Sequence, residues 1–302
     1  MFCTVHNIPV KKMVNIEKSI FIVMDLRSLI PKKIHYCWLS KEKMPEVAEK
    51  CISTWREVLP DYELVLWDAD RFDLNSVPFV KQAYEMRKWA FAADYVRLYA
   101  VYNEGGMYFD TDVYVRKSFD DLLNYDFFTS LERDLTTIPK HSNDAKAFRK
   151  NQNPSLVNSE MKRIKGFGLQ AAVFGAKPGN PFIKDCMDWY EKNDFSFNHS
   201  GKNQLVSPDI YAAIAQKYGF KYVAGFQQLK NNMVVLPADF FPNHIYKTDN
   251  AYAVHLCDNS WSDLRRYSGK KNGIMHKIKQ MLFGKEASWE DIIKMGGRVG
   301  IR

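Results

Sequence analysis

The sequence predicts an α/β protein with a parallel, Rossmann-like sheet. Three observations carry that expectation. Strand, helix and strand follow one another between residues 32 and 68. A long apolar helix over 80–103 ends on the glycine pair Gly105–Gly106. A β-branched and aromatic strand, GMYFDTDVYV, starts directly behind it.

The elements follow in order. KKIHYCWL reads as the first strand. In MPEVAEKCISTWREVLP, Val47, Cys51, Thr54, Trp55 and Val58 recur at helical spacing, and Pro60 ends the helix. YELVLWD is the second strand, so the three form a βαβ unit. Over 80–103, one stripe holds Trp89, Ala93, Val96 and Ala100, and another holds Phe91, Tyr95, Leu98 and Tyr102. Apolar stripes on two sides describe a buried helix. The glycine pair then caps it. Residues 132–160 read as a loop-rich insertion. GLQAAVFGAKPGNPFIKDCMDWYEK reads as strand, turn and helix. SPDIYAAIAQKYGF is a further helix, with Ser207 as its cap and Pro208 at its first position. MVVLPADFFPN and AYAVHLCDNSW supply late strands. No internal repeat or dividing linker is evident.

Bulk properties narrow the function classes. The chain has 302 residues, 46% apolar and 26% charged, which fits a folded soluble protein and excludes global disorder. The net charge of +8 is compatible with phosphate-bearing partners, but no long basic tract supports nucleic-acid binding. Five cysteines at wide spacings, with no CxxC, give neither a disulfide framework nor a zinc site. They read as reduced thiols of a cytoplasmic protein. IFIVM is too short to span a bilayer. Met24 is read as the native start, with residues 1–23 an extension.

Two carboxylates interrupt the apolar strand after the glycine pair. Side chains alternate along a strand, so Tyr108, Asp110, Asp112 and Tyr114 share one face, the aspartate β-carbons roughly 6–7 Å apart. Such a pair repels itself unless a proton, a basic group or a metal compensates, and carboxylate oxygens suit Mg²⁺ or Mn²⁺. The plain alternative is a strand end whose aspartates meet water. Asp94 and Arg97 lie three apart on the preceding helix. They read either as a local ion pair or, on a buried helix, as charges with a task.

FAADYVRLYAVYNEGGMYFDTDVYV resembles the sugar-binding region with the DXD motif of family 32 glycosyltransferases. IPKKIHYCWLS, STWREVLPDYELVLWD and YAVHLCDNSW resemble further blocks of that family, in order from about residue 30 to 261. The resemblance implies a GT-A fold, in which a Rossmann-like nucleotide-binding sheet continues into an acceptor-binding half. The corresponding domain spans 25–265, between an N-terminal extension (1–24) and a basic C-terminal helical segment (266–302). It also implies a UDP- or GDP-sugar donor, Mn²⁺ (or Mg²⁺), retention of configuration, and a saccharide or lipid-linked acceptor in bacterial surface polysaccharide synthesis, capsule or lipopolysaccharide.

Residue by residue, the resemblance implies Trp38 against the base, and Asp94 and Arg97 on the donor sugar and its phosphate side. It implies Asp110 on the ribose or the sugar and, through water, on the metal, Asp112 as direct metal ligand, and His255 completing the metal site. Ser260 and Trp261 would close over the diphosphate, and Gly106 would stand in the donor site. Two departures are Ala93, where serine is common, and Leu256–Cys257, where His-Trp is common. The other readings are a non-catalytic carbohydrate- or nucleotide-binding protein and a metal-dependent phosphodiesterase. GIMHKIKQMLFGK, with Ile274, Ile278, Met281 and Leu282 at helical spacing, reads as a solvated helix or as a peripheral contact with anionic membrane on the cytoplasmic face.

Overall fold

The first three elements form the expected βαβ unit. Strand β1 (Lys33–Cys37) pairs in parallel with β2 (Glu63–Trp67), and helix α1 (Glu46–Val58) crosses between them. Helix α1 buries Val47, Cys51, Ile52, Thr54 and Trp55 on one face. It stops at Leu59, whose N–H still bonds Trp55 O before Pro60. The computed structural model describes residues 29–133, 166–195, 205–243 and 248–257.

The helix expected over 80–103 is two helices, α2 (Pro78–Glu85) and α3 (Trp89–Glu104). The break is a left-handed residue, Arg87, at φ +57°. Lys88 N–H bonds Ala83 O and Arg87 N–H bonds Tyr84 O, each 2.9 Å. These are the two bonds of a Schellman cap, normally built on glycine. Arginine in that place left no signal in the periodicity. Helix α3 is buried along nearly its whole length, as its two stripes required.

Gly105 ends α3 at φ +65°. A β-carbon there would lie 2.6 Å from Pro178 and 2.9 Å from Pro31. Gly106, at φ +103°, opens β3 (Gly106–Phe109) against the carbonyl of Lys33. Only glycine combines that backbone with that closeness. Strand β3 then ends at Phe109, before the carboxylate pair. Asp110, Thr111 and Asp112 form a turn, closed by Val113 N–H to Asp110 O at 3.0 Å, and β4 (Val113–Val115) begins a different sheet.

The remaining elements are β5 (Phe127–Arg133), β6 (Phe167–Leu169), β7 (Val173–Ala176), α4 (Pro181–Lys192), α5 (Ser207–Ala215), β8 (Gln227–Gln228), β9 (Met233–Leu236) and β10 (Ala253–His255). The main sheet runs β2-β1-β3-β7-β5-β9-β8, with β6 on β5; β10 and β4 form a second ladder. The sheet is mixed where a parallel one was expected. The β2-β1-β3 end is parallel and Rossmann-like, but β7 runs antiparallel to both β3 and β5. The α/β class holds, and the parallel half continues without a break into the mixed half.

Alternation along the strands fills two cores. Tyr108, Phe127, Phe174 and Val235 face α2, α3, α4 and α5, whereas Met107, Phe109, Phe128 and Val234 face α1 and the layer of Val113, Phe119 and Phe241. Helix α5 begins at Ser207, with Pro208 second and Val206 in the N-cap position without a side-chain cap; the Ser207 hydroxyl instead turns inward to Tyr190 Oη at 3.0 Å. Of the predicted loop insertion, Glu132 and Arg133 belong to β5. Residues 134–160, Met24, Ser260, Trp261 and the C-terminal segment lie outside the described residues.

Candidate active site

The site assembles where β3 ends. Strands β1 and β3 run parallel, with His35 opposite Tyr108, so their carboxyl ends open on the same edge. In such sheets that edge is where ligands bind. Tyr108 is buried, and its hydroxyl donates to Asp110 Oδ1 at 2.8 Å. Beneath them lies Arg97 on α3. Its Nη2 stands 3.0 Å from Asp94 Oδ1 and 3.4 Å from Asp110 Oδ1, and its carbon Cζ 4.7 Å over the Tyr108 ring. Arg97 Nη1 also donates to Ala171 O at 2.9 Å. One guanidinium thus serves two carboxylates and an aromatic face; Arg97, Asp94 and Tyr108 are buried, and Asp110 is half-buried.

The electrostatics follow from that burial. Burial opposes the charge of Arg97, but Asp110, Tyr108 and Asp94 outweigh it and hold its pKa well above the ordinary value. Burial pushes the Asp94 carboxyl up to about 6, although Arg97 and the Ser207 hydroxyl pull it down. A carboxyl raised in the folded state stabilises fully below its unfolded value of 3.8, and loses that contribution as pH rises through about 6. The size is about 3 kcal/mol at 1.36 kcal/mol per pH unit. Between pH 4 and pH 7, wild type is therefore expected to lose stability relative to Asp94→Asn. Urea unfolding of both at the two pH values checks it, and parallel curves would refute it.

The second half comes from the β4–β10 ladder. Register puts His255 opposite Val113, and Leu256 N–H bonds Asp112 O at 3.0 Å, so His255 comes beside Asp112. His255 Nε2 is 3.4 Å from Asp112 Oδ1. Burial lowers the imidazole pKa, but Asp112 and Cys257 raise it by more, and the net lies well above 6.5. One ligand atom from each of Asp110, Asp112 and His255 falls within 4.8 Å of the others. Two carboxylate oxygens and an imidazole nitrogen fit Mn²⁺ or Mg²⁺, and a cation would offset the repulsion between the aspartates.

Helix α1 holds this turn from behind. Trp55 Nε1 donates to Val113 O at 2.7 Å, and Val115 N–H donates to Thr54 Oγ1 at 3.0 Å. A cleft of about 170 Å³ opens beside His255 and Cys257, with Glu132, Arg133, Gln170, Asp239 and Thr248 among its lining.

Asp94, Arg97, Asp110, Asp112 and His255 therefore gather as one group. Trp38 lies just past the carboxyl end of β1, half-buried, its indole N–H donating to Glu42 O at 2.7 Å. Gly106 stands apart, at the opposite end of β3, four residues or about 13 Å along the chain from Asp110. Its place is structural. Sequence reasoning gave no place in the site to Tyr108, Ser207, Cys37 or Cys257. The Cys37 thiol, pushed up to about 12 by burial, packs into the Tyr108–Arg97–Asp110 group. Tyr108 carried a usable signal, two residues before Asp110 on one face; the other three carried none.

Residues 45–129 match the family described as glycosyltransferase sugar-binding region containing DXD motif. Inositol phosphoceramide mannosyltransferase 3 of Schizosaccharomyces pombe is 34% identical over 111 residues, 34% of this chain and 30% of that protein. Inositol phosphoceramide mannosyltransferase 2 of the same yeast is 31% identical over 101 residues, 32% and 29% of the two chains. The matched part thus spans under a third of each relative's length. Similar solved structures include the PaToxG glycosyltransferase (17% identity, TM-score 0.43, covering 70% of this chain and 81% of that one) and the galactosyltransferase LgtC with donor and acceptor sugar analogs (14%, 0.41, 82% and 99%). Asp94, Arg97, Asp110 and Asp112 all lie inside the span, residues 45–129, that matches the glycosyltransferase sugar-binding region containing the DXD motif.

Proposed function

We propose that the chain is a metal-dependent, retaining glycosyltransferase of the GT-A type, acting through a domain over residues 25–265. It moves a sugar from a UDP- or GDP-sugar to a saccharide or lipid-linked acceptor. The observation that carries this is the meeting of Asp110, Asp112 and His255 beside the buried Asp94–Arg97–Tyr108 group. A divalent cation held by the first three would offset the charge that grows on the departing diphosphate. The chain's own residues supply the rest. Arg97 stays charged and presents donors to phosphate or sugar oxygens. Tyr108 fixes the Asp110 carboxylate. Asp94 accepts sugar hydroxyls. Trp38 offers its ring to the base, and Ser260 with Trp261 closes over the diphosphate.

The cleft beside His255, lined by both polar and apolar side chains, is the acceptor's place in this reading. No side chain is assigned as nucleophile: the acceptor hydroxyl attacks from the front face, and the leaving phosphate takes its proton. A trapped glycosyl-enzyme would overturn that step.

The names of the yeast relatives favour a mannosyl group and a lipid-linked acceptor. The bacterial surface-polysaccharide setting rests on family association. A cytoplasmic location, with peripheral contact of segment 266–302 on anionic membrane, completes the reading. No helix among the described residues is long and apolar enough to cross a membrane. Calorimetric titration with a panel of nucleotide sugars, with Mn²⁺ and with EDTA, tests the function. Metal-dependent binding of one or two donors is expected. No binding to any donor would bring the carbohydrate-binding reading forward.

A further inference from the structure

Two residues past the metal triad, the chain does something unusual. Cys257 has φ +52°, a left-handed backbone at a residue that is neither glycine, asparagine nor aspartate. Such strain persists only where the surroundings hold it, and it gathers at functional sites. Here it turns the side chain back over the residue two before it. Cys257 Sγ lies 3.5 Å from His255 Nδ1 and 3.7 Å from His255 O.

The two contacts have complementary polarity. The thiol S–H donates to the carbonyl oxygen, which leaves the sulfur lone pairs facing Nδ1. A sulfur there accepts from Nδ1–H and so favours the tautomer that carries its proton on Nδ1. Once a cation displaces the proton from Nε2, that tautomer leaves the Nε2 lone pair for the cation, and Nε2 is the nitrogen that faces Asp112. The sulfur itself sits against Nδ1, on the other side of the ring from Nε2, so it is not a fourth ligand to the same cation.

From this geometry we infer that Cys257 is a positioning residue: its thiol fixes the tautomer and rotation of His255 so that Nε2 is presented to a divalent cation shared with Asp110 and Asp112. The inference rests on the metal-site reading above. Partners behind a ligating histidine set its orientation and basicity, and losing one weakens metal affinity roughly 10- to 100-fold.

The test measures Mn²⁺ affinity of the full chain without any donor, from the electron paramagnetic resonance of free Mn²⁺, alongside the melting temperature. Cys257→Ala and Cys257→Gly are expected to weaken Mn²⁺ binding by that factor, and Cys257→Ser, which keeps one donor and one acceptor, to restore most of it. Glycine is the decisive variant. It relieves the backbone, so melting temperature should hold or rise while metal affinity falls, which a merely structural role would not produce. Asp112→Asn is the reference. Mn²⁺ binding that is lost in Asp112→Asn but intact in Cys257→Gly would overturn this inference alone. Absence of Mn²⁺ binding in wild type would overturn the metal-site reading and this inference with it.

Discussion

Asp112→Asn is expected to abolish metal-dependent catalysis while leaving the fold intact. The side chain is half-buried in a turn, and the amide has the same shape. The backbone bond from Leu256 N–H to Asp112 O survives the change. What goes is the charge. Asp112 is the carboxylate nearest His255 Nε2, at 3.4 Å, and belongs to the triad that would hold the cation. A Lewis-acid cation is worth several kcal/mol to a transition state that develops phosphate charge. At 1.36 kcal/mol per decade, a loss of roughly 4 kcal/mol lowers kcat/KM on the order of 10³-fold. Metal-free protein should stay folded, because the relief of carboxylate repulsion offsets the lost attraction between Asp112 and His255. Donor turnover and calorimetry with Mn²⁺, beside a melting curve in EDTA, check this. Equal Mn²⁺-dependent binding in the variant and wild type would sink the assignment.

Arg97→Met is expected to cost the most stability of any substitution at the site. Its side chain is 5% exposed, and it compensates two carboxylates at once, Asp94 at 3.0 Å and Asp110 at 3.4 Å. Methionine fills much of the volume and leaves the buried Asp94 and the half-buried Asp110 without their compensating charge. Removing one partner of a buried ionic group costs about 3–5 kcal/mol, chiefly through the charge left behind. It also orphans the carbonyl of Ala171, to which Nη1 donates. Urea unfolding measures the loss. The mechanism makes a second demand: Asp94→Asn in the Arg97→Met background should recover part of the loss, since the two sites are coupled. A loss under about 1 kcal/mol, or no recovery, would mean that the guanidinium is not the compensating charge.

Local patterns were legible because they depend on local physics. The βαβ opening shows in the spacing of apolar residues from Val47 to Val58 and in two flanking β-rich runs. The burial of α3 shows in its double stripe, and its end shows in two glycines. The break at 86–88 does not show, because its cap uses Arg87 where glycine is the usual marker. The carboxylate pair was conspicuous, yet its geometry followed from a different cause than strand alternation. A turn between two sheets brings Asp110 and Asp112 toward the same point. The antiparallel run of β7 was illegible, since neither chain direction nor partner is written in a strand's own residues.

By itself the sequence determined the α/β class, the order of the first elements, the buried helix and the residue types able to carry metal and phosphate chemistry. Each is set by contacts between residues near one another in the chain. The tertiary structure alone decided that the β4–β10 ladder brings His255 to Asp112 across 143 positions, 255 less 112. It alone decided that Arg97 serves two carboxylates and that Cys257 turns back onto His255. Those pairings depend on register between distant strands and on backbone handedness. Both are fixed only when the apolar faces of many elements are buried together.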